Sequence, residues 1–282
     1  MTYLITGATG DVGSKVVHHL LQRGNRPRVF VRSVQKAQAL FGQRVDIFVG
    51  DLAQPESLQP ALAGVDELFL VNSGPQIPVH DESAAKAAKA AGVRHLVKLS
   101  SMDVQHGLAI GAWHELGEAA VRASGISFTF VQPTGFMSNL LAWARSIKTE
   151  RIVRASTGEG KRAFIHSEDI AAVATAALTT RAYDGESLPI TGPQALTFAE
   201  ATATIGSAIG KRLTFQPISD DEARQRYSAI SGSEAETEAH VSLWRAIREG
   251  RLAGVTDNVQ RILGRQPLPL EQWAMENAAA FC

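Results

Sequence analysis

The chain has 282 residues, of which 45% are hydrophobic, and 28 basic residues balance 28 acidic ones. That is enough apolar material for one large domain or a domain with a smaller lobe, and it leaves no net field to attract nucleic acid or an anionic membrane. The one cysteine, Cys282, excludes an intramolecular disulfide and a thiolate zinc site and fits a reducing cytoplasm. The opening MTYLITGATG has no basic n-region or long apolar stretch, and nowhere do about 18 apolar residues run uninterrupted. The expectation is a soluble, unprocessed, cytoplasmic protein with a small-molecule partner, no nucleic acid and no membrane.

In the first half, short runs rich in Val, Ile, Leu and Phe recur as YLIT (3–6), RVFV (28–31), VDIFV (45–49), ELFLV (67–71), HLVKL (95–99) and SFTFV (127–131). They read as strands. Between them lie helical spacings: Val17, Leu20 and Leu21; then ESAAKAAKAAG ending at Gly92; then ELGEAAVRASG ending at Gly125. This alternation predicts an α/β fold, a doubly wound parallel sheet with helices on both faces and ligands at the carboxyl ends of the strands. After about residue 133 the periodicity loosens into a smaller, mostly helical lobe. Capping-box spacings at Thr197/Glu200 and Ser219/Glu222 mark helix starts there, and Thr256 reads as the N-cap of DNVQRIL. The expected division is 1–134 plus about 161–192 for the sheet domain, and about 135–160 plus 193–282 for the lobe.

Directly after the first strand comes GATGDVG, with Gly7, Gly10 and Gly13, then an amphipathic helical stretch. Glycines in this setting permit a tight turn, let backbone N–H groups approach a pyrophosphate and bring helix against strand, which points to a dinucleotide. The plainer alternative is a turn that needs positive φ. The second strand ends in VFVRS with no acid to accept from a ribose 2′-OH, whereas Arg32, followed by Ser33 and with Lys36 one turn on, offers cations to a 2′-phosphate. NADP(H) is therefore expected in preference to NAD(H). Asp51 and Leu52 after the third strand could flank the adenine, and Asn72, Ser73 and Gly74 after the fourth could admit the ribose, although both segments are also ordinary turn chemistry.

The segments GATGDVG, VRSVQKA, GDLAQPESLQPALAGVD, AAKAAGVRHLVKLSS, RASGISFTFVQPTGFMSNL, SEDIAAVA, SLPITGPQALTFAEA and TDNVQRILGRQPLPLEQW together resemble an atypical short-chain dehydrogenase/reductase of the NmrA-like group. That group includes bacterial NAD(P)H:quinone oxidoreductases and triphenylmethane reductases. The resemblance implies a Rossmann domain, a small C-terminal lobe and NADPH as the usual cofactor, but no one substrate. It implies that Gly7, Thr9, Gly10, Asp11, Val12 and Gly13 form the pyrophosphate loop and that Arg32 and Lys36 form the 2′-phosphate cluster. It further implies that Asp51 and Leu52 contact adenine, that Ser100 is a catalytic candidate, and that the segment Pro133, Thr134, Gly135 and Phe136 passes the nicotinamide.

Where typical short-chain dehydrogenases carry a catalytic Tyr and a Lys four residues later, this chain carries His114 and Glu118 in WHELGE (113–118). In a helix both lie on one face. The imidazole could hydrogen-bond a carbonyl or quinone oxygen, with Glu118 holding the ring or the ribose hydroxyls. Absence of the Tyr/Lys acid suits an acceptor that needs none. Trp113, Phe136, Met137, Trp143 and Trp244 are candidates for an aromatic substrate pocket, with ordinary core as the alternative.

Lys98, inside a strand, fits either a residue pointing into the cleft or a snorkelling edge residue. His166 at a helix start reads as structural. Adjacent His18 and His19 point in different directions, so no metal is expected. The leading reading is an NADPH-dependent oxidoreductase acting on a conjugated, electron-poor acceptor such as a quinone, iminium, imine or enone. The rival is a non-catalytic NADP(H) sensor acting through a protein partner. A homodimer is compatible with the resemblance, but no exposed helix face marks an interface.

Overall fold

The computed structural model describes residues 1–282. The runs of β-branched and aromatic residues form β1 (Tyr3–Thr6), β2 (Arg28–Val31), β3 (Asp46–Val49), β4 (Glu67–Leu70), β5 (His95–Leu99) and β6 (Ser127–Pro133). Two short strands follow, β7 (Ile152–Ala155) and β8 (Lys161–Arg162), then β9 (Ser187–Ile190). The central sheet has seven strands in the order β3-β2-β1-β4-β5-β6-β9, and β1 to β6 pair in parallel. The order reverses at β1/β4, the point where an open parallel sheet leaves a crevice at its carboxyl edge. All five residues of β5 are buried, as a strand covered on both faces requires.

Helices α1 (Asp11–Gln22), α2 (Val34–Phe41), α3 (Gln59–Leu62), α4 (Ile77–Ala90), α5 (Ala109–Ala123), α6 (Ala144–Glu150) and α7 (Ser167–Thr179) connect these strands. Helix α1 buries Val12, Val16, Val17 and Leu20 along one stripe. Gly92 (φ +80°) and Gly125 (φ +69°) end α4 and α5 in the left-handed conformation that the sequence pattern anticipates.

Two compact units result. The first comprises 1–101, 112–133 and 167–189, and the second 102–111, 134–166 and 190–282. Segments 102–111 and 161–166 lie in the second unit rather than in the sheet domain where the sequence reading put them. The physical reason is local. Asp103 and Arg162 are both buried and joined at 3.1 Å, so removing either would leave an uncompensated charge.

The second unit adds β10 (Leu196–Thr197), α8 (Phe198–Ala208), β11 (Thr214–Pro217), α9 (Asp220–Ser231), α10 (Glu234–Arg248), α11 (Asn258–Leu263) and α12 (Leu270–Glu276). Its core gathers Met137, Leu140, Val153, Phe164, Phe198 and Trp273, with Trp143 and Trp244 packed against it. The capping box at Thr197/Glu200 is complete, and Ser219 accepts from the Glu222 N–H. Helix α11 begins one residue later than the sequence predicts, with Asp257 rather than Thr256 in the cap position. No helix is long and apolar enough to cross a membrane.

Candidate active site

The turn after β1 has no room for side chains at Gly7 and Gly13. Gly7 has φ +58°, and a Cβ there would lie 2.9 Å from Val71 Cβ. A Cβ on Gly13 would lie 2.2 Å from the Gly7 carbonyl oxygen, so only glycine lets α1 seat against the turn. Gly10, the N-cap of α1, supplies no side-chain cap. The N-terminus of this helix is therefore without a side-chain cap, and the positive end of its dipole lies at the turn, an arrangement suited to an anion.

The loop opens on a cleft of about 520 Å³. Gly7, Thr9 and Gly10 line it from the loop, Arg32 and Lys36 from the end of β2 and the start of α2, Asp51 and Leu52 from beyond β3, and Asn72 and Ser73 from beyond β4. Asp11, Val12, Gly13, Gly74 and Pro133 do not line it. Asp11 faces Lys15 and receives the Ser167 hydroxyl, and Val12 and Gly13 are buried beneath the turn. The sequence reading missed Phe30, Val31, Gly50, Val71 and His80, which also face the cleft. Four of these sit at or just beyond the ends of the same strands, which was the available signal; His80 lies in the first turn of α4.

Arg32 and Lys36 are exposed, and neither side chain has an ion pair or hydrogen bond. The Asn72 Nδ2 is buried without a partner. These vacant donors, the uncapped helix and the glycine turn fit a dinucleotide phosphate chain and its ribose.

A second polar construction lies at the end of β5. Glu118, 1% exposed, accepts through Oε1 from the Ser100 hydroxyl (2.6 Å) and from Gln132 Nε2 (2.7 Å). Its Oε2 accepts from Arg122 at 3.3 Å. Three donors satisfy this buried carboxylate and tie α5 to β5 and β6. His114, one turn earlier on the same face, has no hydrogen bond to Glu118. Its Nδ1 lies 3.3 Å from Lys98 Nζ. Burial, then the Lys98 charge, push the His114 pKa well down, so the ring is neutral.

Lys98 is no edge residue. It is fully buried on a central strand, with Nζ 2.6 Å from Asp81 Oδ2 of α4. The attraction is Coulombic, because neither Asp81 oxygen receives a well-directed hydrogen bond. Gly117, between His114 and Glu118, makes the approach feasible: a Cβ there would stand 2.2 Å from Asp81 Oδ2. Asp81, Lys98 and Gln132 thus join the candidate residues His114, Glu118 and Ser100, although sequence spacing linked only the first two of those three.

The aromatic candidates are dispersed. Trp113 is half-buried on α5 in the first unit. In the second unit Phe136 bridges to Ile165, Met137 is in the apolar core, Trp143 leans on Phe198 at 5.4 Å, and Trp244 meets Tyr227 edge-on at 5.7 Å. His166 pairs with Glu276 at 3.1 Å, and His18 is bonded to the Ser14 carbonyl.

Residues 7–181 match the model of an NAD(P)H-binding family. The chain is 39% identical to the (4-alkanoyl-5-oxo-2,5-dihydrofuran-3-yl)methyl phosphate reductase of Streptomyces griseus, over 99% of this chain and 98% of that one. It is 37% identical to the NAD(P)H azoreductase of Xenophilus azovorans, again over 99% and 98%. Among solved structures, the Citrobacter sp. triphenylmethane reductase complexed with NADP(H) superposes with a TM-score of 0.86 and 27% identity, covering 99% of this chain and 100% of that one. With the glycine turn, the sheet order and the strand-end cleft already pointing to a dinucleotide site, the chain belongs to the NAD(P)H-binding family and is an NAD(P)H-dependent reductase of the NmrA-like, atypical short-chain dehydrogenase/reductase type.

Proposed function

We propose that this reductase uses NADPH in preference to NADH and delivers hydride to a conjugated, electron-poor acceptor: a quinone, an imine or iminium, or an enone. The observation that carries the cofactor preference is Arg32 and Lys36 at the β2 end of the cleft, neither of them in an ion pair. Two free cations attract a 2′-phosphate, whereas a ribose 2′-OH gains little from them.

NADPH, when bound, supplies the hydride. Gly7, Thr9 and Gly10 would hold its pyrophosphate, Arg32 and Lys36 its 2′-phosphate, and Asn72 its sugar. The polar network at β5 and α5 presents a neutral imidazole rather than a charged acid. A neutral ring donates a hydrogen bond without giving up a proton, which suits an acceptor that takes hydride first and its proton afterwards from water. The relatives' substrates support this choice: one name describes an azo compound, and the other a dihydrofuranone whose ring double bond is conjugated with its carbonyl and alkanoyl groups.

The test is NADPH oxidation by purified protein, with NADH in parallel, against quinones, cyclic imines, enones, triarylmethane dyes and simple ketones. Turnover is expected with a conjugated class and NADPH, and not with the ketones. Equal rates with both cofactors would overturn the cofactor assignment, and turnover confined to simple ketones would overturn the acceptor class.

A further inference from the structure

We propose that Lys98 and Asp81 are positioning residues for His114: together they lock its neutral ring in the tautomer that carries its proton on Nε2, so that His114 acts only as a hydrogen-bond donor. The inference deepens the proposed reductase reading and rests on it for its catalytic meaning. Its geometry stands without it.

Lys98 Nζ lies 2.6 Å from a buried carboxylate oxygen and 3.3 Å from His114 Nδ1. Facing Asp81, it serves as the ammonium of an ion pair, and an ammonium has three N–H donors and no acceptor. Its remaining reach goes to the Leu99 carbonyl at 3.4 Å. Nδ1 must therefore be the acceptor in the contact with Lys98. In a neutral imidazole that assigns the proton to Nε2. A carboxylate behind Nδ1, the arrangement that turns a histidine into a base, would impose the opposite tautomer, with the proton on Nδ1 and Nε2 free to accept, and would favour the charged ring. Here a cation stands in that place, so the ring is held as a donor and kept from charging.

The charged groups around the ring fit this account. From β5, Lys98 touches it. From α4, Asp81 lies behind Lys98 with its charge committed there. From the ring's own helix, Glu118 is turned to Ser100, Gln132 and Arg122. No carboxylate reaches the imidazole. Gly117 belongs to the same device, since a side chain there would drive Asp81 out of place.

The decisive measurement is the ring nitrogen spectrum of the cofactor-free, ¹⁵N-histidine-labelled full chain, with the His114 signals assigned by their loss in His114→Gln. The expected pattern is a neutral ring protonated on Nε2, unchanged between about pH 5.5 and 7.5, where an ordinary histidine titrates. Either a ring protonated on Nδ1 or a charged ring at neutral pH would overturn the proposal.

Removing both charges together, Lys98→Met with Asp81→Asn, avoids stranding one of them. In that protein the His114 titration is expected to move upward, with burial still holding it below the usual histidine range, and the ring is expected to mix tautomers. An unchanged spectrum would mean that Lys98 does not set the ring's state. Lys98→Gln with Asp81→Asn keeps an N–H donor facing Nδ1 and is expected to restore the Nε2–H form. On the same samples kcat with the best acceptor should fall about tenfold to a hundredfold in the Met variant and recover in the Gln variant, with KM for NADPH little changed. If no acceptor turns over, the proposed function fails. The tautomer assignment is then still decided by the spectrum, which needs no cofactor.

Discussion

At the carboxyl ends of β1 to β4 the polar groups are left open: Arg32 and Lys36 have no counter-ion, α1 has no side-chain cap, and Asn72 Nδ2 has no acceptor. At the end of β5 they close on one another, with Glu118 taking three donors and Lys98 lodged between Asp81 and His114. The open region has spare bonding capacity for a charged ligand. The closed region turns its charges and the donors around Glu118 inward, on a few of its own side chains. This is the difference between binding a cofactor and orienting a reacting group, and substitutions in the two regions should fail in different ways.

The largest effect should come from breaking the closed region at one charge. Lys98→Met leaves Asp81 buried and uncompensated and should cost about 3–5 kcal/mol of stability by denaturant unfolding. Lys98→Met with Asp81→Asn should recover most of that. If the single variant is as stable as wild type, Asp81 is not held as a charge and the contrast fails.

In the open region the largest loss should follow Gly13→Ala, because the new methyl meets the Gly7 carbonyl. NADPH affinity by calorimetry should fall on the order of 100-fold, while the stability loss stays within about 1–3 kcal/mol. An NADPH affinity left unchanged alongside that stability loss would make the turn a structural element rather than a binding one.

A smaller effect is expected at the cations. Arg32→Ala should weaken NADPH binding about 10- to 30-fold through loss of a charge-assisted contact, leave NADH binding nearly unchanged and cost no stability. The difference between the cofactors should shrink at high salt, because both partners face solvent.

These two regions were not equally legible in the sequence. The cleft was, because its parts are local: GATGDVG follows a strand by adjacency, and Arg32 sits at a strand end that period and composition mark. The network was not. Asp81 and Lys98 are 17 positions apart on different elements, and a lysine in an apolar run looks alike on an edge or at the centre of a sheet until the strand order is known. His114 and Glu118 shared a helix face as expected, yet sharing a face did not make them partners. Gly117 was the overlooked signal. A glycine inside a helix costs about 1 kcal/mol relative to alanine, so its presence between two polar residues asks what comes close. In the second unit β8 and β10 are two residues each, too short for any period to show.

The smallest effect sharpens the contrast from the opposite end of the sheet, where β4 begins with a buried carboxylate that is only half-satisfied. Glu67 accepts from Arg181 at 2.7 Å through Oε1, but its Oε2 is buried with no partner. Burial outweighs the arginine and raises its pKa to about 7. The folded value lies above the unfolded one, so the folded state binds a proton more tightly than the unfolded state. The resulting stability is fully present below the unfolded pKa and is lost as pH rises through about 7. Thermal unfolding of the wild type should therefore move to lower temperature between about pH 5 and 8, and Glu67→Gln should flatten that slope. Glu118→Gln, which removes the charge from a carboxylate with three donors, should instead lower stability across the whole range, because an amide nitrogen would then face donors that need an acceptor. Equal pH slopes in the wild type and Glu67→Gln would mean that Arg181 compensates Glu67 as fully as Ser100, Gln132 and Arg122 compensate Glu118, and that counting donors does not separate the two sites.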